Sequence, residues 1–378
     1  MTRPAAALVG RPARSPRSAG ETEISISRET VPVLGVGVDR DAAFCLSSGG
    51  RARLSPGFGD LATGLARRAY VEALERARQS HDIEPEAVSR DLDASSFAAS
   101  LAAELELPAV AVQHHHAHAA AVMAEHGLEG RVLAVVLDEP GLGDDGTTWG
   151  GEFLVADAVE ARRAGHLRAV PGPGSNGMGV VYAADAGVLR RAASMLGPNV
   201  TREPPTGGGA ERTLPDTSAG GLFDAVASLA GLRGHHRGAG RGWVRLARAA
   251  DGSATMEYPF DLGTDDGSLV LDTRPIVRAV VKDLGNGRSA GTVAGRFHRT
   301  MAAGILAICR LLRIDTGLDR VVLAGALFAD GLLVSDTAAR LATQGFHVYP
   351  PQRIPPGDAS LALGQVLVAS ARLGRPAA

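Results

Sequence analysis

The sequence predicts an α/β protein of two similarly organised lobes, and three observations carry that expectation. Val33–Asp39 is a short buried-strand run ending in a carboxylate, and Val132–Asp138 repeats its shape later in the chain. Each run is followed, after a turn, by another strand-like segment, Ala42–Leu46 in the first half and Thr147–Val155 in the second. Each half also closes with a strand, a loop and an apolar helix. The first closes through Val110–Val112 and residues 114–126, the second through Phe346–Tyr349 and residues 359–373.

Helical and strand signals alternate between these ends. Helical patterns lie near 60–79 and 95–105, with a strand near Val88 between them. The second half carries helical patterns at 182–196, 220–231, 274–284 and 291–313, then a strand at Arg320–Ala324. Antiparallel hairpins followed by βα units describe a mixed sheet covered by helices. Two in tandem give the bilobal layout of the actin-like (ASKHA) fold, two ribonuclease-H-like domains with a cleft between them. The expected boundaries are 31–128 for the first lobe and 129–378 for the second, with a helical insertion over 171–290. Pro171–Gly177 and Pro204–Gly209 read as loops. Residues 1–30 are rich in Arg, Pro, Ala and Ser and lack a continuous apolar stretch, which predicts a disordered tail, not a signal peptide.

Composition excludes some functions. A net charge of −2 over 378 residues gives no general field for nucleic acid or an anionic membrane, and no apolar run reaches the length of a membrane span. Lys282 is the only lysine, so the arginine content reflects a biased composition and is not read as phosphate recognition. Cys45 and Cys309 sit in apolar surroundings and read as buried hydrophobes of a cytoplasmic protein.

The most informative stretch is Val112-Gln-His-His-His-Ala-His118 at the head of the first closing helix. Helical residues four apart share a face, so His114 and His118 can clamp one metal ion while His115 and His116 point elsewhere. Imidazole suits zinc or iron, and such a pair needs further ligands. Asp138, ending the first strand of lobe two, and Asp358, starting its closing helix, fall on edges that converge on the same cleft. Each has a structural alternative: a hydrogen-bonded histidine cluster, a strand-end turn at Asp138, an N-cap at Asp358. Taken together, the four favour a divalent metal site. Gly141, Gly143 and Gly146, then Gly150 and Gly151, flank the hairpin after Asp138, and Gly325-Ala326 links a strand to a helix. Such turns let backbone amides approach phosphate, although a tight turn is their default meaning.

With these residues in place, the chain resembles, over about 31–373, the C-terminal carbamoyltransferase module of the hydrogenase-maturation protein HypF. That module is related to O-carbamoyltransferases and tRNA threonylcarbamoyl-transfer proteins. The resemblance rests on Val112–His118 with Met123-Ala-Glu-His-Gly127, and on Asp144-Asp-Gly-Thr-Thr-Trp-Gly-Gly-Glu152. Gly59-Asp60, Leu222–Val226, Arg296-Phe-His298 and Leu361–Gln365 match more weakly. It implies His114, His118, Asp138 and Asp358 as metal ligands, with the glycine loops and Asp330 holding ATP or a carbamoyl-adenylate. It further implies an adenylate-forming partner and an acceptor, either a HypE-like protein thiol or a small molecule. His115 or His116 could serve as a base.

This chain departs from the family at the loops. An Asp-Gly-Thr-Gly turn reads Asp138-Glu-Pro-Gly141, which removes one backbone donor and adds a carboxylate. A Gly-Gly-Val-Phe-x-Asn loop reads Gly325-Ala-Leu-Phe-Ala-Asp330, and a Gly-Arg-Leu-Phe-Asp run loses its arginine at Gly220–Asp224. Two readings follow: a metal-dependent carbamoyltransferase, or a non-catalytic, regulatory metal-binding protein of the same fold.

Overall fold

The computed structural model describes residues 20–26, 31–172, 214–232 and 242–374. The expected helix at 182–196 and the loop at Pro204–Gly209 lie outside them.

The first sheet is assembled from β1 (Thr22–Ser25), β2 (Val33–Gly35), β3 (Cys45–Ser48), β4 (Arg51–Leu54), β5 (Ala87–Asp91) and β6 (Ala109–Val112). Its strand order is β1-β4-β3-β2-β5-β6. The first four strands pair antiparallel, whereas β2, β5 and β6 run parallel. Helices α1 (Gly64–His81) and α2 (Phe97–Glu104) supply the crossovers, and α3 (His114–His126) follows β6.

The second sheet contains β7 (Val132–Leu142), β8 (Thr148–Ala156), β9 (Ala161–Leu167), β10 (Val170–Gly172), β11 (Leu214–Asp216), β12 (Asp261–Asp265), β13 (Ser268–Asp272), β14 (Arg320–Ala324) and β15 (His347–Tyr349). Among them run α4 (Ala219–Leu229), α5 (Gly242–Ala249), α6 (Arg274–Gly285), α7 (Ala290–Thr316) and α8 (Gly331–Thr343), and α9 (Leu361–Leu373) ends the described chain. The order β9-β8-β7-β14-β15 repeats β4-β3-β2-β5-β6, with the same antiparallel and parallel pairings. The duplication read from two apolar runs is therefore visible in the topology.

It extends to the carboxylates that follow those runs. Asp39 accepts the amides of Phe97 and Ala98 at the start of α2, each at 2.9 Å. Asp138 accepts the amide of Ala326, at the head of the short helical turn before α8, also at 2.9 Å. In both halves an aspartate after the opening apolar run secures the element that follows the strand paired parallel to that run, β5 in the first half and β14 in the second.

The closing helices exchange sheets. Helix α3, from the first half, packs on β7, β8 and β14, whereas α9, from the second half, packs on the strands of the first sheet. Their mutual contact is so close that a Cβ on Gly364 would lie 1.7 Å from the carbonyl oxygen of Ala117. Alanines 119, 121 and 124 let α3 fit there, and one continuous core joins Ile24 and Val33 of the first sheet to Val136 and Val322 of the second through the two helices. Gln365 adds a polar tie, accepting the Gly37 amide at 2.8 Å and donating to the Gly37 carbonyl at 3.1 Å.

Two elements differ from the sequence expectation. Residues 22–25, placed in a disordered tail, form β1, because Ile24 and Ile26 are buried and the Glu23 carboxylate bridges Arg51 and Arg53 of β4. The β12–β13 hairpin lies inside the expected helical insertion. Its turn is Asp266-Gly267, both at positive φ, as a tight two-residue hairpin turn requires. Both cysteines are free and buried, with thiol pKa values pushed up by desolvation. No helix among the described residues is long and apolar enough to cross a membrane.

Candidate metal centre

Four side chains from three elements converge where the sheets meet. His114 and His118 occupy the first two turns of α3, Asp138 follows the buried run of β7 at its register shift, and Asp358 opens the helical turn before α9. One ligand atom from each lies within 4.8 Å of all the others. The Nε2 atoms of His114 and His118 are 3.2 Å apart. Asp138 Oδ2 lies 3.4 Å from His114 Nε2 and 2.6 Å from His118 Nε2, while Asp358 Oδ1 lies 3.6 and 3.3 Å from the same atoms. A tetrahedral zinc site with bonds of about 2.0–2.1 Å has ligand–ligand edges of about 3.3 Å, so these separations suit a shared ion. Asp138 Oδ2 is also buried without an aligned hydrogen-bond donor despite its short contact to His118. An unpaired carboxylate oxygen beside two imidazoles fits a bound cation, and this nitrogen–oxygen donor set suits zinc or iron.

The partners outside the cluster set its geometry. His114 Nδ1 lies 2.8 Å from Asp91 Oδ2, the carboxylate that ends β5, which leaves Nε2 facing the cluster. Gly325 (φ 96°) has to be glycine, because a Cβ would sit 2.3 Å from the Leu137 carbonyl; that close approach brings the Ala326 amide onto Asp138. Glu125 accepts the amides of Gln352 and Ile354 at 3.0 and 3.1 Å and is also bonded by Arg353, which fixes the loop leading to Asp358. Burial opposes charge on both imidazoles, yet Asp91 raises the pKa of His114 and Asp138 raises that of His118. Burial likewise resists ionisation of the carboxylates, and His118 for Asp138 and His114 for Asp358 hold them below their usual range. Replacing Asp91 by asparagine should lower metal affinity about tenfold, the low end for an outer partner because the amide oxygen can still accept from His114. Titration with a competing chelator reads this directly, and unchanged affinity would remove Asp91 from the centre.

The remaining sequence candidates separate. His115 is buried beside the cluster, its ring 5.2 Å from that of His114, and desolvation followed by the charge of His114 lowers its pKa well below normal. His116 turns away from the cluster: its Nε2 bonds the Asp157 carbonyl at 2.7 Å, and burial drops its pKa to about 4. Asp330 is held within the scaffold of its loop. Its Oδ1 caps α8 through the amides of Leu332 and Leu333, and its Oδ2 lies 2.6 Å from His298 Nε2. Gly143, Gly150 and Gly151 are pressed by protein, since added Cβ atoms would meet Trp149 at 2.2 Å, the Glu139 carbonyl at 2.8 Å and the Thr217 carbonyl at 2.5 Å. Gly141 packs on the His114 and His115 rings, and Gly146 holds a turn at φ 75°.

Sequence reasoning quoted Glu152 within a motif but missed its task. It is fully buried, accepts the amides of Gly150 and Gly151 at 3.1 and 3.2 Å, and pairs with Arg163 Nε at 2.7 Å. Arg163 in turn lies 4.3 Å from the Trp149 ring centroid and 3.3 Å from Asp145. Asp216 pays for this neighbourhood, since burial first and Glu152 second push its pKa up to about 6. A carboxyl raised above its unfolded value of 3.8 stabilises the fold below that pH and loses the contribution as pH rises through about 6. Asp216→Asn keeps an acceptor for the Ser218 amide. It should therefore gain about 1–3 kcal/mol over wild type at pH 8 and nothing at pH 4, measured by urea unfolding. Equal stability at pH 8 would count against the buried charge.

Two sheets of matching order, with a two-histidine, two-carboxylate cluster at the helices that join them, define a mixed α/β protein with a candidate metal centre. The chain belongs to the HypF family: residues 134–365 match the second subdomain of its carbamoyltransferase, Kae1-like domain, and residues 28–125 match the HypF Kae1-like domain. It is 32% identical to carbamoyltransferase HypF2 of Cupriavidus necator, over 92% of this chain and 48% of that protein. It is 34% identical to a carbamoyltransferase HypF homolog of the same organism, over 90% of this chain and 91% of the relative. The chain thus spans about half the length of HypF2 but nearly all of the HypF homolog. Among solved structures, full-length HypF in its phosphate- and nucleotide-bound form matches with a TM-score of 0.86 and 28% identity, over 93% of this chain and 57% of that one. The HypF of T.kodakarensis matches with a TM-score of 0.76 at 21% identity, covering 93% of this chain and 48% of that one, a likeness of fold.

Proposed function

We propose that this chain is a metal-dependent carbamoyltransferase acting in nickel–iron hydrogenase maturation. The observation that carries the reading is the convergence of His114, His118, Asp138 and Asp358 in a chain whose relatives are named carbamoyltransferases. Its proposed architecture is the bilobal actin-like fold, with lobes at 31–128 and 129–378 and the insertion at 171–290; the repeated strand order supports it. The carbamoyl donor is a carbamoyl-adenylate made from ATP by a partner, the acceptor is a thiol on a HypE-like protein or a small molecule, and the compartment is the cytoplasm. The nucleotide in the similar full-length HypF structure supports ATP chemistry.

An ion held by these four residues would supply a Lewis acid that polarises the carbamoyl carbonyl or grips phosphate. The acceptor thiol, having lost its proton to solvent, bonds through sulfur to the carbamoyl carbon, the bond to the adenylate oxygen breaks, and AMP leaves with that electron pair. Asp358 and His114 are the more exposed of the four, at 14% and 12% of their side chains against 1% for the other two, which supports an approach of substrate from their side. Main-chain amides near the cluster are committed to Glu152 and Asp138, so they orient the site more than they cradle phosphate.

Glu139 favours a second reading, a regulatory protein that keeps the metal but not the nucleotide. Its carboxyl packs against the first turn of α4, where a Cβ on Gly220 would lie 2.9 Å from Oε2, and it accepts from Trp243 Nε1 at 3.1 Å. A carboxylate there competes with phosphate for the positive end of the helix. Equilibrium binding of ATP to metal-loaded protein separates the readings. The transferase predicts micromolar affinity, and carbamoyl transfer from the mixture of ATP, carbamoyl phosphate and an adenylate-forming partner. Absent binding and absent transfer would leave the regulatory reading.

A further inference from the structure

Gln113 caps α3, and its Oε1 accepts the main-chain amide of His116 at 2.8 Å. A main-chain N–H can only donate, so that end of the Gln113 amide is the oxygen and the other is the nitrogen. Nε2 faces His115 Nδ1 at 2.9 Å and the Leu142 carbonyl at 3.2 Å. Because Gln113 donates, His115 Nδ1 must carry the lone pair and Nε2 the proton. That Nε2 is buried in a ring of 0% exposure, and no atom of the described residues accepts from it. Buried donors are rarely left without an acceptor, since an unmade hydrogen bond in the interior destabilises the fold. The ring stands between those of His114 and Trp149, at 5.2 and 5.8 Å, beside the candidate metal centre.

We infer that His115 is a catalytic residue that donates Nε2–H to an oxygen of the carbamoyl-bearing substrate, with Gln113 as the positioning residue that fixes its tautomer. The inference deepens the carbamoyl-transfer reading of this centre and rests on it. It gives His115 the role opposite to a base. The nitrogen that could take a proton is occupied by Gln113, and the unpartnered Nε2 already holds one. A preset donor of this kind acts where negative charge develops on the substrate oxygen as the acceptor adds.

Zinc-loaded protein carrying 15N-histidine tests the tautomer by NMR. Wild type should show His115 with Nδ1 unprotonated and Nε2 protonated. In Gln113→Glu the carboxylate can still cap the His116 amide but can only accept from the ring, so the proton moves to Nδ1. That variant should keep its metal and KM while kcat falls about 100- to 1,000-fold, the range for one lost oxyanion donor. His115→Gln, whose amide nitrogen reaches the position of Nε2, should recover part of the rate that His115→Phe loses. A wild-type ring protonated on Nδ1, or a flipped tautomer with an unchanged rate, would overturn the inference. Should metal-loaded wild type transfer no carbamoyl group, the functional reading falls separately. A His115 Nε2–H resonance unmoved by carbamoyl phosphate would then overturn the inference too.

Discussion

His118→Ala should strip the protein of its metal and abolish carbamoyl transfer while leaving the fold in place. The His118 side chain is 1% exposed and lies within 3.3 Å of ligand atoms on His114, Asp138 and Asp358. Outer partners of metal ligands are worth about 10–100-fold in affinity, so loss of a ligand itself should exceed 100-fold. Near-stoichiometric iron or zinc in the wild type and little in the variant is the expected analysis. Asp138→Asn separates metal loss from damage to packing, because its amide oxygen can still accept from Ala326 while the negative charge disappears. Both variants should lose metal, and Asp138→Asn should unfold near the wild-type temperature. Full metal content in His118→Ala would remove the centre on which the proposed chemistry depends.

The four clustered residues were legible in the sequence because each is tied to a local pattern. His114 and His118 are set by helical spacing, Asp138 by the end of an apolar run, and Asp358 by the head of a helix. The residues that orient them were not legible. Asp91 also ends a strand, but nothing local says that β5 lies beside the strand leading into α3. The loop glycines carry a less specific signal for a related reason. Glycine reports that something approaches the backbone closely, and here the approaching groups are Trp149, Thr217 and Leu137 of the protein itself. Nor could the sequence reveal that α3 and α9 exchange sheets. Helix α3 is buried along nearly its whole length by small residues, so no polar face tells which sheet it covers. The β12–β13 turn did carry a signal, Asp266-Gly267, in a stretch to which the sequence patterns assigned no element of its own.

That exchange makes Gly364 the most tightly approached glycine among the described residues. A Cβ there would stand 1.7 Å from the Ala117 oxygen, 2.6 Å from its carbonyl carbon and 2.9 Å from the Ala121 amide nitrogen. All three are main-chain atoms of α3, so no rotamer change can relieve the clash, and the helices themselves have to separate. Inserting one carbon into a packed interior commonly destabilises by about 1–3 kcal/mol, and a contact this short against backbone should exceed that range in Gly364→Ala. The damage should reach the metal, because α3 carries His114 and His118 while α9 begins three residues after Asp358. Even in the protein that remains folded, metal affinity should therefore fall. Gly252→Ala is the matched control: a Cβ there meets nothing within 4 Å, so its stability should stay within about 0.5 kcal/mol of wild type. Urea unfolding of both variants, with metal content measured on the soluble fraction, decides the matter. A Gly364→Ala protein as stable as the control would mean that α3 and α9 are not in direct backbone contact, and that the two sheets hold the ligands together by some other route.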